Sequence, residues 1–147
     1  MRLTHSTFIR ATPEAVLAFF ADMETNYRRW HPDHLLFRWE DGRGLEPSVV
    51  FYFEETIGGQ LMRKRVAFTR IDTEGRIEFA FTNRLLRLVL PYIRFDFPRE
   101  DGGVRFTQEI PIRTGPLGAW LNRREFDAVR EHMRQEAENL KAILESA

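Results

Sequence analysis

The chain has 147 residues, of which 43% are hydrophobic and 13% aromatic, and its 22 basic side chains balance 22 acidic ones. That is enough apolar material for one domain over residues 1–147 with a sizeable core, and the zero net charge gives no overall electrostatic footprint for a nucleic-acid partner. Because the sequence contains no cysteine, disulfides and thiolate chemistry are excluded, and a metal site would have to use His, Asp or Glu.

The sequence predicts neither a signal peptide nor a membrane partner. The segment Met1–Arg10 is polar and alternating, and no apolar run approaches the roughly 20 residues that a helix needs to cross a bilayer. The expectation is therefore a cytoplasmic protein.

The first part of the chain predicts a strand and two short helices. Arg2–Arg10 alternates as a strand does. Thr12, followed by proline and an acidic residue, is typical of a helix start. A second helix over Met23–Trp30 is expected to end before Pro32, which disfavours helical geometry at the residue preceding it.

Two histidines, His31 and His34, flank Pro32 and follow Trp30. Taken alone, His31 is typical of a surface loop, but a loop that leads from a helix end into a sheet can also carry a side chain into a binding cleft. His34 begins the next predicted strand, where its side chain could reach solvent.

Neighbouring acidic residues are separated by the two faces of the strand predicted over Ser48–Thr56. Phe51, Phe53 and Glu55 share one face, and Glu54 falls on the other. Because the face that carries the phenylalanines is the expected inner one, Glu55 should point inward, although a one-residue bulge would exchange the two acids.

The rest of the predicted sheet includes a run of three charged residues, one polar residue on an apolar face and one connecting segment. In the segment 63–65, Arg-Lys-Arg is expected to be a solvated strand face, and Gln108 joins an apolar face either as an edge residue or as a polar group in a cavity. Arg84–Leu90 is interpreted as a connector or lid near a sheet edge. The remaining strands are predicted over His34–Glu40, Leu61–Asp72, Arg76–Thr82, Tyr92–Pro98 and Val104–Arg113.

A long amphipathic helix is predicted over Glu125–Leu144, with Leu117, Trp120 and Leu121 packing near its start. Glu136 falls inside its apolar stripe, and His132 lies one turn earlier. A carboxylate directed at a core is costly unless a positive or hydrogen-bonding group meets it, and residues four apart can converge on one point. That point could be a metal ion, or the pair could form a buried hydrogen bond that only stabilises the fold.

The order of these elements resembles the helix-grip superfamily of START, pollen-allergen and polyketide-cyclase-like proteins over essentially the whole chain. The resemblance implies an α+β fold in which a seven-stranded antiparallel sheet wraps around a long C-terminal helix, with two short helices after strand 1. It also implies a cavity for a small hydrophobic ligand between the helix and the sheet.

Three segments resemble the metal-binding pattern of the phloretin hydrolase and diacetylphloroglucinol hydrolase family, which cleaves a carbon–carbon bond of acylphloroglucinols. They are residues 30–34, residues 53–59 and the pair His132 and Glu136. The resemblance implies zinc, with manganese or ferrous iron also suited to such donors, at His31, Glu55, His132 and Glu136. It places His34 near the substrate as the proton-transfer candidate, with Glu54 in that role if the strand register is shifted. The chain lacks a further histidine that the family carries between the strand glutamate and the last helix.

Two functions remain open at this point. One is a metal-dependent hydrolase of a hydrophobic or aromatic ketone, and the other is a carrier or sensor that binds an apolar ligand without catalysis. The sequence predicts neither the ligand nor the number of subunits.

Overall fold

The computed structural model describes all 147 residues as an α+β fold. No helix is both long enough and apolar enough to span a membrane. In chain order the elements are β1 (Arg2–Ile9), α1 (Pro13–Ala21), α2 (Met23–Trp30), β2 (His34–Asp41), β3 (Val50–Ile57), β4 (Gln60–Asp72), β5 (Arg76–Phe81), α3 (Arg84–Val89), β6 (Ile93–Asp96), β7 (Arg99–Glu100), β8 (Gly103–Pro111), α4 (Pro116–Leu121) and α5 (Arg123–Glu145).

The strands form one antiparallel sheet in the order β1-β8-β6-β5-β4-β3-β2, and the two-residue β7 pairs only with β8. The seven-stranded sheet, the long C-terminal helix and the two short helices after β1 confirm the predicted helix-grip fold. Since β1 and β2 are joined by α1 and α2, the chain crosses from one edge of the sheet to the other before the hairpins begin.

The N-terminal helices begin and end where local chemistry predicts. The Thr12 side chain accepts a hydrogen bond from the Ala15 backbone at 3.1 Å and caps α1. Helix α2 buries Met23, Tyr27 and Trp30, spaced along one helical face. It ends at His31, whose backbone is extended, and the chain then enters β2.

The alternation of β3 decides which of the two neighbouring glutamates points into the core. Phe51, Phe53 and Glu55 are buried, whereas Glu54 is partly exposed, so the prediction that Glu55 points inward is confirmed. Strand β3 then turns into β4 through Gly58 and Gly59, both with positive φ. A Cβ at Gly58 would lie 3.1 Å from the Ala128 Cβ, so the turn packs closely against α5.

Helix α5 covers the sheet with the face that the sequence predicted. His132, Met133, Ala137 and Leu140 are its buried residues. The Trp30 indole N–H donates to the Glu136 backbone carbonyl at 2.9 Å, which ties α2 to α5. These contacts bring the end of α2, the start of β2 and the middle of α5 together.

The prediction that Leu117, Trp120 and Leu121 pack near the start of the last helix is wrong. They are 69%, 59% and 61% exposed, because α4 is a separate short helix whose apolar side chains do not continue the α5 stripe. The Arg123 guanidinium lies over the Trp120 ring at 4.5 Å. Residues 84–89, predicted as a connector or lid, form the short helix α3, in which Leu85 and Leu88 are also exposed.

Candidate functional site

An apolar pocket of about 100 Å³ lies between α5 and the inner face of the sheet. Seventeen of its 22 lining residues are hydrophobic, and most of the aromatic rings of the core contribute to them. The polar lining residues are Glu55, Lys64, Gln108, His132 and Glu136. Apolar walls with few polar groups are the usual lining of a site for a small organic molecule, but the volume is below the roughly 300–1,000 Å³ of most ligand pockets, so a ligand would have to widen this one.

Four potential metal donors from three elements meet beside this pocket: His34, Glu55, His132 and Glu136, with one donor atom from each lying within 4.8 Å of the others. His34 on β2 pairs directly with Glu55 on β3, so both side chains project from the same face of the sheet. His132 and Glu136 lie one turn apart on α5 and face that pair.

The donor atoms lie close enough together to hold one small ion. His34 Nε2 lies 2.8 Å from Glu136 Oε2 and 3.8 Å from Glu55 Oε1. His132 Nε2 lies 2.9 Å from the same Glu55 oxygen and 3.4 Å from the same Glu136 oxygen. Donors that bind zinc tetrahedrally at 2.0–2.2 Å are about 3.3–3.6 Å apart, so small adjustments would seat an ion among these four atoms.

The orientation of His34 also favours a cation. Its Nδ1 lies 2.8 Å from the Tyr27 carbonyl oxygen, which only accepts, so Nδ1 carries a proton. The Tyr27 ring stacks on the imidazole at 4.1 Å and holds its orientation. Nε2 consequently faces the Glu136 carboxylate and needs either a second proton or a cation shared with that carboxylate. A backbone carbonyl that fixes the tautomer is the usual support of a metal-binding histidine.

The structure brings His34, and not His31, into the four-donor group. The Asp33 backbone N–H donates to His31 Nδ1 at 2.9 Å, and His31 Nε2 donates to Gln135 Oε1 at 2.7 Å. Both ring nitrogens are thus occupied, and the ring stands outside the four-donor group. His31 falls instead in a second set, with Asp33 and His132. His34, expected to reach solvent or the substrate, is only 2% exposed and belongs to the donor group.

The charged side chains of the donor group shift one another's pKa values. Burial by itself would raise the pKa of Glu55, but the ammonium of Lys64 and the His132 imidazole hold it well below its usual range. Burial likewise acts against ionisation of Glu136, yet contacts with His132 and His34 lower its pKa. For His132, burial opposes the charge, while Glu136 and Glu55 raise its pKa from the ordinary 6.5 to about 10. In the metal-free protein the group therefore holds a charged imidazole between two carboxylates.

Buried polar atoms without a hydrogen-bond partner are found in the group and at its border. They are His132 Nε2 and Gln108 Oε1. His132 Nε2 is close to two carboxylate oxygens, but it makes no hydrogen bond of acceptable geometry to either. In the metal-free protein the two carboxylates compensate the charge of this nitrogen without an aligned hydrogen bond, and a bound metal ion would take the place of its proton. The residues present therefore fit a divalent metal.

Lys64 and Tyr27 are residues of the candidate site that the sequence prediction does not include. The sequence predicts Lys64 in a solvated charge run, but the alternation of β4 places it on the face that also carries Val66 and Phe68, both buried. That alternation was a usable signal. The stacking of Tyr27 on His34 depends on how α2 meets β2 and left no signal in the sequence. Gln108 is the polar group in a cavity that one of its two interpretations described, since it is buried in the pocket wall.

Solved structures show the same fold at low sequence identity. Protein Ms6760 from Mycobacterium smegmatis has 20% identity and a TM-score of 0.73, covering 99% of this chain and 91% of its own. Protein TTHA0849 from Thermus thermophilus has 16% identity and a TM-score of 0.73, covering 97% and 95%. A START superfamily protein from Mycobacterium smegmatis has 16% identity and a TM-score of 0.68, covering 99% and 97%. These similarities establish the fold and leave the chemistry open.

No curated protein matches the sequence. A family model described as polyketide cyclase/dehydrase and lipid transport matches residues 1–145, nearly the whole chain. With the helix-grip fold and its pocket, this match shows that the chain belongs to the polyketide cyclase/dehydrase and lipid transport family.

Proposed function

We propose that the protein binds a small, largely apolar molecule in the pocket between α5 and the sheet. We further propose that it holds a divalent metal ion at His34, Glu55, His132 and Glu136. The observation that carries the metal site is the meeting of two imidazoles and two carboxylates, with one donor atom from each within 4.8 Å of the others. The apolar lining of the pocket supports the ligand class.

Two imidazoles and two carboxylates suit zinc best, and they also suit manganese and ferrous iron. A bound metal would polarise a ligand carbonyl and lower the pKa of a bound water. The chain's own residues hold the donors in place. Gln108 Nε2 donates to Glu136 Oε1 at 3.2 Å, and Lys64 Nζ donates to Glu55 Oε2 at 2.7 Å. Tyr27 and Trp30 cover His34 with aromatic surface and exclude water from it.

The reaction that we propose for the site is hydrolysis of a hydrophobic or aromatic ketone. It rests on the resemblance of residues 30–34, 53–59 and 132–136 to the acylphloroglucinol-cleaving hydrolases, together with the donor group itself. With His34 among the donors, that residue is removed from the proton-transfer role. The first substrates to assay are therefore acylphloroglucinols, with the zinc-loaded protein.

A carrier or sensor without catalysis is the second candidate, and one feature favours it. Both carboxylates find partners without a metal, since Lys64 pairs with Glu55 at 2.7 Å and His34 pairs with Glu136 at 2.8 Å. A closed set of ion pairs can serve simply to stabilise a polar end of the pocket.

Metal content separates the two candidates. We expect protein purified without chelator or added metal to contain about one zinc ion per chain, because two imidazoles and two carboxylates are enough protein donors to hold one ion while a further position stays open to water or a ligand. Elemental analysis by mass spectrometry measures this ratio. A substoichiometric content, together with no heat of binding when zinc is titrated into the protein, would remove the basis of the hydrolase and favour the carrier.

Zinc binding is expected to release protons. The pKa of His132 is about 10 in the metal-free protein, but a metal binds only the neutral imidazole. At pH 7.5 each bound zinc must therefore displace at least about one proton, and the apparent affinity should rise about tenfold per pH unit toward the pKa. Calorimetric titrations in buffers of different ionisation enthalpy measure the number of protons released.

The raised pKa of His132 also makes the stability of the metal-free fold depend on pH. The raised pKa of His132 stabilises the metal-free fold fully below pH 6.5, and this contribution is lost as the pH rises toward about 10.

The control for the proton release on zinc binding is His5→Gln. His5 lies on β1 and outside the donor group, so this variant should release the same number of protons as the wild-type protein. A binding heat that does not depend on the buffer would show that His132 is not a ligand.

A further inference from the structure

Lys64 is a cationic residue on the inner face of the sheet, where nearly all its neighbours are apolar. It pairs with Phe53 in the β3–β4 register, and its side chain is only 17% exposed. The arginines on either side of it point to the other face, where Arg63 lies near Glu54 and Arg65 binds Glu40. Lys64 is thus the one member of this charge run that lines the pocket.

Glu55 divides its two oxygens between the lysine and the donor group. Oε2 accepts the hydrogen bond from Lys64 Nζ at 2.7 Å, while Oε1 faces His132 and His34. Lys64 therefore does not occupy the position of the metal. It stands beside that position, bridged to it by one carboxylate.

The ammonium of Lys64 has N–H groups that donate to no protein atom. Of its three N–H groups, one is used on Glu55, and no other protein atom accepts from it. The pocket offers no further carboxylate for it, because Glu136 is engaged by His34 and Gln108. The remaining donors are available to an oxygen atom of a ligand in the pocket.

The charge balance of the site also calls for an anion. A divalent metal and Lys64 bring three positive charges, whereas Glu55 and Glu136 bring two negative ones when both histidines are neutral. One positive charge is then left at the polar end of an apolar pocket, and an uncompensated charge in such surroundings is costly. A ligand that carries one negative charge would neutralise it, in the place of an ionised water.

We propose that Lys64 is a ligand-binding residue that selects apolar molecules carrying a single anionic oxygen group, such as a carboxylate or an enolate. The apolar body of the molecule would lie against the aromatic walls, and its charged end would lie between Lys64 and the metal position. This assignment rests on the proposed metal site and names the class of ligand that the site takes.

Cinnamate and cinnamamide are suitable probes, because they share an apolar body and differ by one charge. Titrations of the zinc-loaded protein, followed by calorimetry or NMR, should show cinnamate binding at least about tenfold more tightly than cinnamamide. Lys64→Met, which removes the charge but keeps the apolar stem, should reduce this preference to within about threefold. Lys64→Arg should largely retain it.

The matched control is Arg65→Met, on the opposite face of the same strand, which should preserve the preference of the wild-type protein. Equal affinities of the wild-type protein for the two probes would overturn the role of Lys64 while leaving the zinc site intact. An undiminished preference in Lys64→Met would overturn it as well, because the metal alone would then account for the selection. Zinc content is measured separately for every variant. If the wild-type protein takes up no zinc, the proposed metal site is wrong. The excess positive charge on which the assignment of Lys64 depends is then absent as well.

Discussion

Replacing Glu136 by glutamine is expected to lower the zinc affinity by more than the roughly 10–100-fold that follows the loss of an outer-shell partner. The Glu136 carboxylate lies within 2.8 Å of His34 Nε2 and 3.4 Å of His132 Nε2, so it contacts both proposed imidazole donors. Glutamine keeps the size of the side chain but removes the negative charge that a divalent cation needs. Calorimetric titration with zinc measures the change.

The control for this variant is Glu138→Gln, two residues further along α5 on its exposed face. It removes the same charge from the same helix and should leave zinc binding unchanged. Equal zinc affinity in the wild-type protein and Glu136→Gln would contradict the proposed donor set. If Glu136→Gln unfolds at a lower temperature and neither protein binds zinc, the His132–Glu136 pair is a structural hydrogen bond, the alternative that the sequence left open.

Truncation of Leu140 is expected to have the largest effect on stability. Its side chain is fully buried in the main core cluster, where α5 packs on the sheet and on α2. Leu140→Ala should lower the free energy of unfolding by about 2–5 kcal/mol, because it removes apolar contacts and leaves a cavity that the surroundings only partly fill. Denaturation by urea, followed by circular dichroism, measures the loss.

Leu117→Ala provides the comparison, since Leu117 is also a helical leucine but is 69% exposed. A change within about 0.5 kcal/mol is expected there, as for other surface substitutions. Similar losses for the two variants would mean that α4 packs in solution, as the sequence had suggested, or that α5 is not anchored through Leu140.

Local patterns were sufficient for most of the fold. Alternation located the strands to within a few residues, the Thr12 cap and Pro32 marked a helix start and a helix end, and period-3.6 spacing marked α5. These features are decided by backbone conformation and by which face is apolar, both of which are properties of a short segment. The same reasoning explains why Glu55 was correctly assigned to the inner face of β3.

Contacts between distant segments could not be predicted from local sequence patterns. Whether His31 or His34 joins the donor group depends on what faces the Nε2 atom, which is the Gln135 amide oxygen for His31 and the Glu136 carboxylate for His34. The exposed α4 was mispredicted for a related reason: apolar side chains do not reveal from their spacing whether a separate helix turns away from the core.

Helical and strand periodicities fix side-chain direction, so the sequence alone places His132 and Glu136 one turn apart on a largely apolar face of α5 and directs Glu55 of β3 inward. That these residues meet His34, and that Lys64 lies beside them, follows from the packing of distant segments. The pairing of His34 with Glu55 across two strands, and the crossing of α5 over that pair, bring together residues up to about a hundred positions apart. Such distances are set by how the core packs and by which buried polar groups find partners.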